Sequence, residues 1–312
     1  MERVRTIEYR CSYDNSLQKA KSFIASGAEA RPLLVALHTW SYTFEQECDA
    51  YARYCIENNW NFIFPDFRGP NWLPLACGSE AVVADIVDAV SYMKSVSPVD
   101  NDRVYLMGGS GGGHASLLLA ARYPELWTAV SAWCPIYDVA AWHKECRDAG
   151  RSYADHIESA CGGDPSADEK IYAEAYKRSS KAYIGGASRV LLDISTGIHD
   201  GHTGSVPVSH TLNAFNALAK PEDRIPEEDI AFITREQQIP EKYGVPEKDL
   251  SFGEKEVLLR RQSNLARVTI FEGGHNILTG PGLAWLAKQN RRKAPDWSSG
   301  DAGECGGQEL GK

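Results

Sequence analysis

Short apolar runs alternate with longer amphipathic segments along most of the chain. Each apolar run is rich in β-branched or aromatic residues and is apolar at consecutive positions, which predicts a strand buried on both faces. The predicted strands cover residues 33–37, 61–64, 103–107, 127–133, 189–194 and 267–271, and the predicted helices cover 44–56, 79–96 and 115–123. Buried strands separated by helices predict an α/β fold, with a mostly parallel central sheet covered by helices on both faces.

Four stretches depart from this alternation. The first 24 residues predict an antiparallel strand pair at one sheet edge. Residues 135–186 and 221–256 are long, polar and partly helical, which predicts two insertions above the carboxyl ends of the strands. Residues 294–312 are rich in Gly, Ser and charge, which predicts a disordered tail that includes Cys305. We therefore expect one α/β domain over residues 1–293, followed by this tail.

The charge balance narrows the range of partners. The chain has 33 basic and 42 acidic residues, a formal net charge of −9. Nucleic acids and anionic membrane surfaces attract clustered Lys and Arg, so we expect neither as a partner. Apolar runs are too short for a membrane span, and the first residues contain no apolar signal segment. We expect a cytoplasmic protein, or an exported one whose signal peptide is absent from this chain.

The eight cysteines show no CxxC spacing, which argues against a zinc ribbon or a thioredoxin-like motif. We expect them to be free thiols. Cys146 and Cys161 flank a short polar segment and are candidates for a disulfide only if the protein is exported.

The segment around Ser110 is the most informative in the chain. It contains G-x-S-x-G between a predicted strand and a predicted helix. Such a strand-to-helix turn exposes the serine Oγ above the sheet, and it directs the N–H of Gly111 toward a developing oxyanion. A P-loop is excluded because no lysine follows the glycines, and His114 and Ser116 interrupt a dinucleotide fingerprint. A structural turn without chemistry is the remaining alternative.

A serine nucleophile requires a base and an orienting carboxylate. Asp200 and His275 each follow a predicted strand, at the sheet edge where open α/β sheets place their sites. Glu272 is an alternative carboxylate, but it lies only three positions before His275. His199 and His202 flank Asp200 and raise the alternative of a metal site. We expect the Ser-Asp-His arrangement, without metal or cofactor. Asp193 lies within a predicted strand, and we expect it to be structural.

Read together, these motifs resemble the α/β-hydrolase superfamily. The resemblance is strongest to prolyl-oligopeptidase-like (S9-type) serine hydrolases and their acetyl-xylan-esterase-like relatives, and it covers roughly residues 30–290. The segments that carry it are Leu37-His38-Thr39-Trp40, Pro65-Asp66-Phe67-Arg68-Gly69, the turn at Ser110, Gly197-x-x-Asp200 with Val206-Pro207, and Gly274-His275.

The resemblance implies an α/β-hydrolase fold with Ser110, Asp200 and His275 as catalytic triad. It also implies a second oxyanion donor in the loop after the third strand. That donor falls on Thr39 or Trp40, and we favour Trp40, paired with Gly111. The family commonly has His-Gly where this chain has His38-Thr39.

The substrate is expected to be a small molecule. We expect no N-terminal β-propeller, which in related oligopeptidases restricts access to short peptides. This favours a carboxylesterase acting on small or carbohydrate-linked acyl esters, and the alternative is a peptidase that cleaves short peptides. A non-catalytic binding protein on a hydrolase scaffold is the third hypothesis. Three tryptophans near strand ends are candidate substrate contacts, with core packing as the alternative reading: Trp72, Trp133 and Trp142.

Overall fold

Nine strands hydrogen-bond into one sheet in the computed structural model, which describes residues 3–298. The strands are β1 (Arg5–Arg10), β2 (Leu17–Phe23), β3 (Arg31–Leu37), β4 (Asn61–Pro65), β5 (Val99–Gly109), β6 (Ala129–Trp133), β7 (Leu191–Gly197), β8 (Val257–Ser263) and β9 (Ala266–Phe271). Their order is β1-β2-β4-β3-β5-β6-β7-β9-β8. Neighbouring strands from β4 across to β9 are parallel, whereas β1, β2 and β8 pair antiparallel at the two edges.

This sheet confirms the predicted mostly parallel α/β architecture. Each of the six predicted apolar strands is present, and the first 24 residues form the predicted antiparallel edge pair. Strand β8 has no counterpart among the predicted strands. Its second half is the polar run Arg260-Arg261-Gln262, which an edge strand tolerates because one side faces solvent.

Nine α-helices connect or cover the strands of the described residues: α1 (Asp49–Glu57), α2 (Glu80–Val96), α3 (Gly111–Arg122), α4 (Val139–Asp148), α5 (Tyr153–Cys161), α6 (Glu169–Arg178), α7 (Val208–Leu218), α8 (Glu227–Glu236) and α9 (Thr279–Lys288). Helix α1 begins later than predicted because the preceding loop bonds elsewhere: the Phe44 N–H donates to Asp66 Oδ1 over 3.0 Å. Helix α3 begins four residues earlier than predicted, directly after Ser110.

Helices cover the sheet on both faces because successive strand residues point to opposite sides. On one face Leu33 and Val35 pack in a core with α2, α3 and α7. On the other face Leu34 and Ala36 pack with α1 and α9. The sheet is therefore a rigid scaffold whose carboxyl edge carries the loops of the site.

The two predicted insertions are excursions between sheet elements. Residues 135–186 contain α4, α5 and α6, which pack around their own small core with Trp142 at its centre. Trp40, from the loop after β3, also belongs to this core. Residues 221–256 contain α8 and short 3₁₀ turns, and Ile230 and Ile233 of α8 join the core beside α7.

The predicted tail is contradicted where the structure describes it, over residues 294–298. Trp297 stacks on Trp285 with ring centroids 5.5 Å apart, and its carbonyl accepts a hydrogen bond from Arg267. The sequence did not predict this packing because Trp297 is a single aromatic residue within an otherwise polar segment. Residues 299–312, including Cys305, lie outside the described part of the chain.

None of the helices within residues 3–298 has the length and hydropathy that crossing a bilayer requires.

Candidate active site

Ser110 occupies the tight turn between β5 and α3. Its backbone has φ 56° and ψ −117°, a left-handed conformation that costs a non-glycine residue about 1–3 kcal/mol. The turn is fixed by a hydrogen bond from the Ser110 N–H to the Trp133 carbonyl over 2.9 Å. A side chain at Gly112 would come within 2.7 Å of the carbonyls of Leu37 and His38. Glycine is needed there because β3 packs directly against the turn.

Asp200 lies in the loop after β7 and is completely buried. Its Oδ1 accepts hydrogen bonds from the N–H groups of Gly201 (2.9 Å) and Val206 (3.1 Å). Its Oδ2 accepts from the Thr196 hydroxyl (3.2 Å) and faces His275 Nδ1 at 2.7 Å. Four donors therefore hold this carboxylate in one orientation.

His275 lies in the loop after β9. Because a carboxylate can only accept, Nδ1 carries the proton of the bond to Asp200, and Nε2 of the neutral ring is left as an acceptor. Burial disfavours the charged ring, but the facing Asp200 carboxylate and the neighbouring Cys134 side chain together oppose burial, and the pKa of His275 is raised well above its usual value.

Ser110 and His275 line the same cavity, which has a volume of about 1070 Å³. Its wall consists of the loop after β3, the junction of α4 and α5, the loop after Asp200 and the loop after β9. Among the described residues that line it, none is Asp or Glu. The cavity is large enough for a ligand of several functional groups.

The backbone of Trp40 lies against Gly111. A side chain at Gly111 would come within 2.6 Å of the Trp40 Cα and 2.7 Å of its N. Within residues 3–298 neither N–H of this pair donates a hydrogen bond, whereas the Thr39 N–H donates to Gln46 Oε1 over 2.8 Å. Of the two candidates in this loop, Trp40 is the one whose donor is available. Gly111 also begins α3, whose dipole favours negative charge at this end.

Comparison with known proteins identifies the family of this scaffold. Residues 78–230 match the prolyl oligopeptidase family model, Peptidase_S9. The fold is similar to that of an acylaminoacyl peptidase from Pyrococcus horikoshii, with a TM-score of 0.59 and 12% identity over 87% of this chain and 38% of that one. The matched stretch, residues 78–230, is that of an S9-type α/β-hydrolase.

Two further solved structures are similar to this chain in fold. An acylaminoacyl peptidase in complex with Z-Gly-Gly-Phe-chloromethyl ketone has a TM-score of 0.54 and 16% identity, over 69% of this chain and 35% of that one. A thermostable esterase has a TM-score of 0.47 and 15% identity, over 70% of this chain and 51% of that one. The chain thus spans well under half the length of the two peptidases. No curated protein sequence matches it.

None of the three tryptophans predicted as substrate contacts lines this cavity. Trp72 packs on His156, with ring centroids 4.7 Å apart, and does not line the cavity. Trp133 is fully buried in the sheet core, and Trp142 is fully buried behind Trp40. The reading based on core packing holds for these last two, because the apolar ring of each fills space between elements.

The solvent-accessible aromatic side chains among the residues that line the cavity are instead those of Tyr42 and Tyr153, whereas the Trp40 ring is buried. Arg151 also lines the cavity. Tyr153 and Arg151 lie at the junction of α4 and α5, inside an insertion that carries no motif, so only the packing of the insertion could have shown their position.

The competing residues of the Asp200 loop bond elsewhere. His199 lies between Gln237 and Glu272, with Nε2 2.7 Å from Glu272 Oε1. Glu272 is therefore occupied by His199, and Asp200 is the carboxylate that faces His275. His202 Nε2 lies 2.7 Å from the carbonyl of Thr234 in α8.

A buried thiol lies behind the Asp200–His275 pair. Cys134 follows β6, and its Sγ lies within 4.8 Å of both the histidine nitrogen and the carboxylate oxygen. Burial raises the pKa of this thiol, and it donates to the Asn276 carbonyl over 3.4 Å. Sequence reasoning missed Cys134 because its neighbours in the chain carry no motif.

All seven cysteines of the described residues are free and buried. Cys146 and Cys161, the pair considered for export, are not bonded. The thiol of Cys77 instead donates a hydrogen bond to Cys161 Sγ, and this bond together with burial raises the pKa of Cys77 well above its usual value.

Proposed function

We propose that this chain is a serine hydrolase that cleaves carboxylic esters through an acyl-enzyme. Ser110 is the nucleophile, His275 the general base and then the general acid, and Asp200 the residue that orients the imidazole. The observation that carries this proposal is the 2.7 Å contact of Asp200 with His275, in a cavity that His275 shares with Ser110.

In this mechanism His275 Nε2 takes the Ser110 proton as Oγ attacks the substrate carbonyl. The tetrahedral oxyanion receives hydrogen bonds from the N–H groups of Trp40 and Gly111, donors that typically contribute about 10²–10³ in kcat each. The imidazolium formed is stabilised by Asp200 and gives its proton to the leaving alcohol. Water activated by the same histidine then releases the acid and restores Ser110.

The composition of the cavity wall favours an ester over a peptide with a free N-terminus. A peptidase that removes short N-terminal units needs carboxylates to bind the substrate ammonium group, and the described wall contains none. Acyl esters of small alcohols or sugars need no such group. The second candidate is cleavage of peptides whose N-terminus is blocked, as the name of the similar acylaminoacyl peptidases suggests.

The test is a panel of 4-nitrophenyl acetate, acetylated xylose, alanine 4-nitroanilide and N-acetylalanine 4-nitroanilide. We expect the esters to be hydrolysed best, with a burst, and Ser110→Ala to lower the rate by roughly 10⁴–10⁶-fold. Faster cleavage of the blocked anilide would replace the esterase proposal with the second candidate. Absence of fluorophosphonate labelling at Ser110 would instead favour a binding protein.

Gly204→Ala tests the triad without removing a reactive group. A side chain there would clash with the Asp200 carboxylate and come within 2.5 Å of His275 Cβ. Gly185→Ala is the matched control because a side chain at that glycine meets no atom within 4 Å. We expect kcat to fall strongly only in Gly204→Ala, and equal activity of the two variants would contradict the triad.

A further inference from the structure

Arg151 lines the cavity as a cation without a carboxylate partner among residues 3–298. It lies between α4 and α5, and its guanidinium donates to two backbone carbonyls, Ser205 (3.2 Å) and Gly201 (2.6 Å). Other arginines of the same insertion are paired: Arg147 with Asp155 and Glu158, and Arg178 with Glu174.

The two carbonyl bonds fix the guanidinium but do not neutralise it. A guanidinium has five N–H donors, and two atoms of Arg151 each use one of them. Because the described wall has no Asp or Glu, the charge is not balanced within the cavity. The other titratable side chains in the wall are phenols and imidazoles rather than carboxylates: Tyr42, Tyr153, His202 and His275.

An arginine held rigidly in a concave site with free donors is suited to bind a carboxylate in a bidentate fashion. The hydroxyl groups of Ser152 and Ser205, which line the cavity beside it, are additional donors for such a group. A neutral substrate would leave these donors and the charge without a partner.

We propose that Arg151 is the specificity residue of this site and that the substrate of the esterase carries a carboxylate besides the ester that is cleaved. This inference rests on the proposed function. Half-esters of dicarboxylic acids and esters of carboxylated alcohols both fit this chemistry. They differ in whether the carboxylate leaves with the acid or with the alcohol.

Two pairs of substrates measure the preference on each side of the ester. The acyl-side pair is 4-nitrophenyl hydrogen glutarate and its methyl ester, and the alcohol-side pair is 4-acetoxybenzoate and its methyl ester. Each pair differs by one negative charge. In the wild type we expect kcat/KM of the charged member to exceed that of the neutral one by at least about tenfold in one pair.

Arg151→Met should lower kcat/KM for the preferred charged substrate by roughly 10- to 100-fold, mainly through KM, and reduce the charged-to-neutral ratio. Arg151→Lys should keep part of the preference for the charged substrate, because lysine retains the positive charge but lacks the two parallel N–H donors of the guanidinium. Glutarate or 4-hydroxybenzoate, whichever matches the preferred side, should inhibit the wild type competitively and inhibit Arg151→Met much more weakly.

Lys144→Met is the matched control. It removes a positive charge from the exposed side of α4, where Lys144 pairs with Asp148 outside the cavity.

The alternative is that Arg151 only anchors the loop after Asp200. In that case Arg151→Met lowers the rates of charged and neutral substrates by the same factor, and the proposal is overturned. A wild type with no preference for either charged substrate overturns it as well. Neither result affects the proposed function, which is tested separately by the Ser110-dependent cleavage of esters and anilides and by fluorophosphonate labelling.

Discussion

At the scale of single residues, the pairing of His275 with Asp200 determines the pH at which His275 can act as the proposed base. The imidazole is mostly buried, which alone would lower its pKa, and the carboxylate at 2.7 Å together with the Cys134 side chain reverses that direction. The four donors around Asp200 keep its carboxylate correctly oriented. The histidine must nevertheless be neutral to accept the Ser110 proton, so its raised pKa moves the onset of activity to higher pH.

The direction of the His275 pKa shift determines the expected pH profile of the activity. Protonated His275 cannot act as a base, so kcat/KM for a non-titrating ester should fall as pH drops through a pKa above 6.5. Asp200→Asn removes the charge that raises this pKa, and the acid limb should then move to lower pH while kcat falls by roughly 10⁴. The check is a kcat/KM profile of both proteins with 4-nitrophenyl acetate. An acid limb at the same pH in both would show that another group titrates.

The predicted site residues that lie at this cavity are those whose positions are fixed by backbone geometry. The turn at Ser110 has a signature because glycine is the residue that avoids a clash there, and His275 follows a strand end. Trp133 and Trp142 carried no comparable constraint. A tryptophan near a strand end points into the core or into the site depending on how the neighbouring elements pack. The local sequence does not determine that packing.

At the scale of elements, helix α4 and the turn after it support the loop that carries Asp200. The Trp142 Nε1–H donates to the Ser205 carbonyl over 2.8 Å, and Arg151 donates to the same carbonyl. The Trp142 ring also packs edge-on against Trp40, with centroids 4.7 Å apart. The insertion of residues 135–186 therefore contacts both the loop that carries Asp200 and the loop that carries Trp40, the candidate oxyanion donor.

Trp142→Phe should separate the hydrogen bond from the packing of the ring. Trp127→Phe is the matched control, because Trp127 is equally buried and its indole N–H has no partner among the described residues. We expect Trp142→Phe to cost about 1 kcal/mol more free energy of unfolding than the control, and to lower kcat where the control does not. Urea unfolding and ester hydrolysis are the measurements. Equal losses in both variants would show that the bond to Ser205 is unimportant.

The two insertions were located by their polar composition, but their role was not readable from it. Their helices are amphipathic, and any such helix can pack on several surfaces. Strand β8 was not predicted for a related reason. Its polar residues are compatible with an edge strand, and the sequence alone does not distinguish such a strand from a loop. Buried central strands were found because both of their faces require apolar side chains.

At the scale of the whole molecule, one buried arginine links three separate parts of the chain. Arg68, in the loop after β4, bonds to the buried Asp85 of α2 at 2.9 Å and to Asp14 of the β1–β2 turn at 2.6 Å. Burial raises the pKa of Asp85, whereas the Arg68 guanidinium opposes that shift. The edge hairpin, the sheet and a covering helix therefore share one charge network.

Arg68→Met should leave the buried Asp85 charge without its partner and destabilise the protein by about 3–5 kcal/mol. Arg122→Met is the control, since the Glu80 partner of Arg122 is exposed and such pairs contribute less than about 1 kcal/mol. Urea unfolding at neutral pH measures both. Adding Asp85→Asn to Arg68→Met should recover part of the loss, and no recovery would mean that the arginine acts through packing alone.

The place of β9 in the sheet has a consequence for synthesis on the ribosome. This strand lies between β7 and β8, and His275 follows it roughly 165 residues after Ser110. At 5–20 residues per second the ribosome needs roughly ten to thirty seconds for that interval. During this time the nascent chain already carries Ser110, the proposed nucleophile, but lacks His275, the proposed base, and the edge of β7 is open. In the proposed mechanism the nascent polypeptide therefore has no hydrolase activity until β9, the last parallel strand, joins the sheet.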